Sequence, residues 1–385
     1  MAEATCDVAV VGAGLVGASL AYELGRAGVD VLLVDGAHPG RASAAGAGIL
    51  SPETTWKPDD HWFTFGLAAA AHYRSLVPAL AELGAPETAY AACGLLLVAL
   101  DPGEDDWFTT RADLALRRPS AAGADGRPGA VHEVTPDEAR ALFPLLGEVR
   151  RVLHNPAAAR VDGRKMTAAV LHGADRHGVR RRTATATGLR SDGDRVTGVD
   201  TDTGFVSCGA VAVAGGAWTE ALGRPLGVAL PVGPVKGQIV HLQLPEPDGA
   251  TSAAWPIVSP VLNHYLVAWP GGRVACGGTY EADAGFDVRP TVAGLIELLR
   301  AAVAIAPGLG RADVAETRVG LRPVSADDAP LLGPVPGCEN LHVATGHGTE
   351  GLLLGPYSAA LVARELRGDG PLEELAPFRP DRFAS

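Results

Sequence analysis

Residues 12–17 read Gly12-Ala13-Gly14-Leu15-Val16-Gly17, and their flanks leave little freedom in how the first forty residues fold. An apolar run, Asp7 to Val11, leads straight into the glycines and suits a buried parallel strand. A helical pattern through Leu20, Ala21 and Leu24 follows and stops at Gly28, a natural C-terminal signal. A second strand, Val31–Val34, ends on Asp35. Each part has a mechanical reason: Gly12 permits a tight turn, Gly14 lets a pyrophosphate approach the backbone, and Gly17 lets helix and strand pack closely. The free amides and dipole of the helix start attract phosphate, and an acid at Asp35 hydrogen-bonds ribose hydroxyls. Strand, turn, helix, strand and acid in that order predict a site for the ADP half of a dinucleotide. The motif does not choose between FAD and NAD, because both carry that half.

Composition narrows the remainder. The 385 residues are 47% hydrophobic and 20% charged, a globular balance with room for two domains. A formal charge of −12 argues against a nucleic-acid partner, since phosphate contacts need a basic surface. No apolar run approaches the ~18 residues of a membrane span, and no basic-then-apolar leader is recognisable, so the expected location is cytoplasmic. The five cysteines (Cys6, Cys93, Cys208, Cys276, Cys338) lack CxxC spacing, which predicts buried free thiols and no metal site.

After Asp35 comes a stretch of small residues, Arg41-Ala42-Ser43-Ala44-Ala45-Gly46-Ala47-Gly48-Ile49-Leu50-Ser51-Pro52, which by itself reads equally as a surface able to lie flat against a planar group or as a flexible loop. Further on stand Arg160-Val161-Asp162-Gly163, Ala214-Gly215-Gly216-Ala217-Trp218 and Pro234-Val235-Lys236-Gly237-Gln238. The chain then carries Gly320-Leu321-Arg322-Pro323, Pro330-Leu331-Leu332-Gly333 and Ala344-Thr345-Gly346-His347. Together and in this order they resemble the FAD-dependent D-amino-acid oxidase superfamily, nearest its glycine oxidase and D-amino-acid dehydrogenase branch. The resemblance spans nearly the whole chain and is weakest over 95–150.

The resemblance implies an α/β fold: a Rossmann-like FAD-binding domain of the GR2 type, interleaved with an α+β substrate domain on a mainly antiparallel sheet. The first would take 1–85, 150–230 and 320–385, the second 86–149 and 231–319. Residues 235–244 and 264–279 have strand composition, 292–305 reads as an amphipathic helix closed by Pro307-Gly308, and Asp101–Gly129 as a surface loop.

It also implies the site. FAD would touch Gly12, Gly14, Leu15, Val16 and Gly17 at the turn, Asp35 and Gly36 at the ribose, and Ala42, Ser43, Ala47, Gly48 and Ile49 along the isoalloxazine. Ala186 and Gly215 come from mid-chain, and His347, Gly348, Thr349, Glu350, Gly351, Leu352 and Leu353 from the last flavin turn. The FAD would be non-covalent, because Gly320 stands where sarcosine oxidases carry a tethering cysteine. Arg322 would grip a substrate carboxylate, helped by Tyr265 and Tyr280. Arg322 could instead pair with Asp327 or Asp328. A guanidinium can hold a carboxylate through two parallel hydrogen bonds. No side chain is assigned as acid or base, His347 included, and the role of Lys236 stays open.

The activity implied is oxidation of glycine or a D-amino acid. A hydride passes from Cα to flavin N5, and the imine hydrolyses to an oxo acid plus ammonia or amine. O2 then reoxidises the flavin to give H2O2. A dehydrogenase with another acceptor, or a biosynthetic enzyme acting on an amine of a larger metabolite, remains open, as does homo-oligomer formation. The family's glycine oxidases read His-x-Arg-Asn-Gly where this chain has His347-Gly348-Thr349-Glu350-Gly351, so both substrate size and acceptor are in question.

Overall fold

In the computed structural model, which describes residues 4–57, 59–118, 129–247, 249–262 and 264–383, the opening motif folds as its pattern predicts. The strand Ala4–Val11 runs parallel to Val31–Asp35 on one side and to Gly204–Val213 on the other. The helix Leu15–Arg26 joins the first two, and Gly28 beyond it adopts a φ of 83°. That helix is buried over most of its surface because the helices Gly163–Arg176 and Gly351–Leu366 flank it.

The first sheet has eight strands. Its six-strand path runs Ala186–Asp192, Arg195–Thr201, Gly204–Val213, Ala4–Val11, Val31–Asp35, Arg180–Thr183. The strand 204–213 forks. Its first half pairs antiparallel with Arg195–Thr201, while Val211 to Val213 pair in parallel with Leu341 to Val343. The chain therefore comes back to this sheet twice, at 180–213 and at 331–345.

The second sheet also has eight strands, in the order Asp313–Ser325, Val232–Gln243, Arg273–Gly277, Tyr265–Trp269, Ile257–Pro260, Leu95–Ala99, Arg151–Asn155, His132–Val134. It is antiparallel except where 257–260 meets 95–99. By sheet membership the crossings fall after Asn155 and after Ser325, rather than at 150 and 320. A three-stranded patch, Ile49–Leu50, Ala159–Arg160 and Ala91–Ala92, lies at the crossing.

The expected helix at 292–305 forms over Val292–Ile305. The loop expected over Asp101–Gly129 does not hold: Asp105–Arg117 is an α-helix, and 119–128 lie outside the described residues. Phe108, Ala112 and Ala115 recur at helical spacing and are buried beneath the second sheet, an apolar stripe that the surrounding charges conceal. The thiols also differ from expectation. Cys6 and Cys276 are buried, but Cys93, Cys208 and Cys338 are half-buried; all five are free. Among the described residues no helix is long and apolar enough to cross a membrane, and no cluster of ligating side chains could hold a metal.

Candidate active site

The glycine turn is fixed by close backbone approach. Gly12 has a φ of 103°, and a Cβ there would sit 2.4 Å from the Ala214 carbonyl oxygen of the neighbouring strand. The helix start lacks a side-chain cap from Gly14, and its Leu15 N–H donates to Ser43 Oγ at 3.0 Å. The next residue of the helix start, Val16, lines the cavity, and amides there suit phosphate oxygens. Asp35 is pinned: Oδ1 accepts from Ala13 N–H at 3.0 Å, and Oδ2 accepts from Ala37 N–H and Arg41 Nη1, each at 3.1 Å.

The small-residue stretch lies between the two sheets. Its short helix, Ala42–Ala45, packs on the strand Asp313–Ser325, and Leu321 N–H donates to Gly40 O at 2.8 Å. Gly48 follows with a φ of 76°, and a Cβ there would lie 1.7 Å from Val161 O. No other residue fits that crossing without moving the backbone. The result is one elongated cavity of about 590 Å³, running from Asp35 and Thr185 past the glycine turn to Tyr265 and Arg322. The cradle at Gly12, the helix start at Leu15 and Val16, the acid at the strand end and the flat wall at 42–49 fit FAD.

At the far end stands Arg322. It pairs with neither Asp327 nor Asp328; Asp327 is bound instead by Arg382 at 2.7 Å. Arg322 Nη1 donates to Thr279 O at 2.9 Å and to Lys236 O at 3.4 Å. Its guanidinium crosses over Gly237, where a Cβ would come within 2.4 Å of it, so the family-like Lys-Gly-Gln segment clears its path. Tyr265 reaches the same place from another strand. A point 2.9 Å from Arg322 Nη2, where a Cβ on Gly278 would lie, is 3.3 Å from the Tyr265 hydroxyl oxygen. Burial pushes the Tyr265 phenol up to about 12, with Arg322 opposing, so it stays protonated and able to donate.

Behind Arg322, Lys236 is 1% exposed and pairs with Glu281 at 3.2 Å. Glu281 Oε1 also accepts from Gln238 Nε2 and Thr279 Oγ1. Lys236 does not line the cavity; this network holds the backbone that supplies the Arg322 carbonyl partners.

The last turn, Gly348–Glu350, carries the helix Gly351–Leu366 away from the cavity. His347 is buried, and burial pulls its pKa down to about 4, so it is neutral near pH 7. Ser358 Oγ donates to Leu354 O at 2.9 Å and so accepts from His347 Nε2–H at 3.1 Å. That arrangement fixes a turn and supplies no base. Glu350 lines the cavity with its pKa raised by burial, against the pull of Lys57. Thr349 is exposed at the rim.

The structure gathers most of the expected residues around this one cavity, including Ala186 and Gly215. Three stand apart. Gly17 packs against the glycine turn, where a Cβ would meet Gly12 O at 1.8 Å; Leu353 is in the core; Tyr280 is 61% exposed with its ring 5.8 Å from the Arg322 guanidinium carbon. Sequence reasoning missed Thr54, Thr55, Trp56, Arg111 and Ser259, which line the same end. None belongs to a glycine-marked motif, and Arg111 sits on the helix read as a loop.

A family model described as "FAD dependent oxidoreductase" matches residues 7–365. The uncharacterized oxidoreductase YurR of Bacillus subtilis strain 168 is 35% identical, over 96% of this chain and 97% of its own. The glycine oxidase of Pseudomonas aeruginosa PAO1 is 33% identical, over 97% of this chain and 98% of its own. Among solved structures, the iminodiacetate oxidase of Chelativorans sp. BNC1 superposes with a TM-score of 0.89 at 35% identity, covering 97% of this chain and 98% of that one.

Proposed function

This chain belongs to the FAD-dependent oxidoreductase family and is an FAD-dependent enzyme, and from that premise we propose that it oxidises a small amine bearing a carboxylate. Bound FAD would supply a two-electron acceptor for the hydride leaving the substrate Cα, and O2 would be the final oxidant, reduced to H2O2. The loss of hydride from carbon and a proton from nitrogen leaves an imine, which water splits into an oxo acid and ammonia or amine.

One observation carries this reading: Arg322 and Tyr265, from different strands, converge at the end of the cavity beyond the flavin-side wall. The guanidinium would hold the substrate carboxylate, and the protonated phenol would donate a further hydrogen bond. Two-point binding of a carboxylate orients the adjacent C–H and restricts its rotation. The backbone at 12–17, with Asp35 and the 42–49 wall, would hold FAD. Gly320 has no side chain to form a tether, which supports a non-covalent cofactor. The names of the relatives, a glycine oxidase and an iminodiacetate oxidase, agree with this substrate chemistry.

The Thr349-Glu350 departure favours a second reading, in which the same half-reaction feeds an acceptor other than O2. Anaerobic titration of the holoenzyme separates the two. Carboxylated amines should bleach the flavin bands, and readmitted O2 should restore them with one H2O2 per turnover. Bleaching without rapid return selects the second reading. No bleaching by any carboxylated amine overturns both.

A further inference from the structure

We propose that Arg111 is a second carboxylate-binding residue, so that the substrate is an amine carrying two carboxylates, one on Arg322 and Tyr265 and the other on Arg111. This rests on the reading above and narrows it.

Arg111 projects from the helix Asp105–Arg117 into the cavity wall. Nη1 donates to Val261 O at 3.0 Å and Nη2 to Thr54 O at 2.9 Å, while its buried Nε–H has no protein partner. A guanidinium has five N–H donors, so more than half remain unused. Among the described residues no carboxylate pairs with it. Burial alone pulls its pKa down to about 10, which leaves it charged at neutral pH.

Two other arginines show what a purely structural role looks like here. Arg118 also donates to two carbonyls, of Thr55 and Lys57, but lies over the Phe63 ring at 4.5 Å. Arg160 donates to Trp255 O and Ala253 O, with its guanidinium carbon 5.4 Å from the Trp269 ring centre. Neither lines the cavity. Arg111 has neither an acid nor an aromatic face among the described residues, and it does line the cavity. Placing a charge in a protein wall is costly unless an opposite charge meets it. An anionic substrate arm supplies that charge.

The sheet sets the geometry. Val258 pairs with Leu266, which puts Ser259 opposite Tyr265 and Val261 just past the strand end. The Arg322 guanidinium lies above Gly237 and Gly278, beside Tyr265, and Arg111 bonds Val261 O just past the end of the strand that pairs with the Tyr265 strand. Asp35 and Glu350 are the carboxyl side chains lining the cavity among the described residues. Arg41 and two amides hold Asp35 at the other end, and burial favours the uncharged form of Glu350. The substrate end is therefore electropositive.

Two chemistries share this pattern: a secondary amine with two carboxymethyl-type arms, and a primary amino dicarboxylic acid. The overall reaction stays a two-electron oxidation. For the secondary amine, one arm leaves as an oxo acid after hydrolysis of the C=N bond, and the other remains as an amino acid.

The test compares kcat/KM of the holoenzyme for iminodiacetate and D-glutamate against sarcosine, glycine and D-alanine. At least one dicarboxylate should exceed every monocarboxylate by roughly 100-fold, and which one wins separates the two chemistries. Arg111→Gln should lower the dicarboxylate-to-monocarboxylate ratio by about 100-fold, and Arg111→Lys should recover part of it. An unchanged ratio with FAD retained overturns the proposal and leaves Arg111 as a staple between Thr54 and Val261, as does a wild-type preference for monocarboxylates. Because Arg111→Gln risks misfolding, the wild-type flavin spectrum is also titrated with glutarate and butyrate. Glutarate should bind at least 10-fold more tightly, and equal binding overturns the proposal. Bleaching by monocarboxylates only defeats this inference alone, whereas no bleaching by any amine defeats the parent reading.

Discussion

The two ends of the cavity are built in opposite ways. At the glycine-turn end, close backbone contacts set the shape, and the critical residues are those without side chains, such as Gly12 and Gly48. At the end proposed to take the substrate, side chains set the character: Arg111, Tyr265 and Arg322 come from three distant segments, and each depends on a carbonyl or a glycine elsewhere for its place. A site shaped by close backbone approach tolerates almost no added volume. A side-chain site tolerates folding changes poorly in one direction only, through the residues that aim it.

That contrast can be broken experimentally. The largest effect is expected at Gly12→Val. The branched side chain cannot adopt a φ of 103° beside Ala214 O, so the loss should exceed ~4 kcal/mol. Protein purified with normal FAD content and unchanged thermal midpoint would remove the backbone account of this end. Next, Arg322→Ala should leave the FAD spectrum intact and cut kcat/KM for carboxylated amines by roughly 100- to 1000-fold, the loss of a buried charge partner. Loss of FAD along with activity would show that the two ends are not separable.

Acid should act third. His347 titrates at about 4 in the folded chain against an ordinary value near 6.5 when unfolded. Between those values the unfolded chain binds the extra proton, so stability is full above pH ~6.5 and falls as pH drops towards 4. The contribution of His347 is about 2 kcal/mol between pH 7 and pH 5. His241 and His342, also pulled down to about 4 by burial, act in the same direction. Urea midpoints across this range should show the slope, and His347→Gln should flatten it. The smallest effect is expected at Asp35→Asn, which keeps the size but loses the charge facing Arg41. FAD affinity should weaken by about 10-fold, recoverable with excess FAD and without change in substrate preference.

Legibility in the sequence followed the same division. The strand, helix and strand of residues 4–35 fell within a few residues of their expected bounds, and 292–305 matched outright. The helix at 105–117 did not, because its buried stripe is only Phe108, Ala112 and Ala115 among charged neighbours. Arg322 was found because a motif surrounds it. Arg111 had no motif, and its lack of a counter-ion among the described residues is a fact about what does not lie near it in space.

By itself, then, the chain determined the dinucleotide turn, since glycine positions report backbone conformation and backbone conformation is local. The α/β class came from the family resemblance that the chain's ordered motifs carry. Only the tertiary structure decided which charges are satisfied and which are left facing the cavity. Asp327 goes to Arg382, Lys236 to Glu281, and Asp35 to Arg41. Arg322 and Arg111 keep donors to spare at one end of the cavity. Electrostatic pairing depends on distances between residues far apart in the chain, and no local pattern encodes those distances.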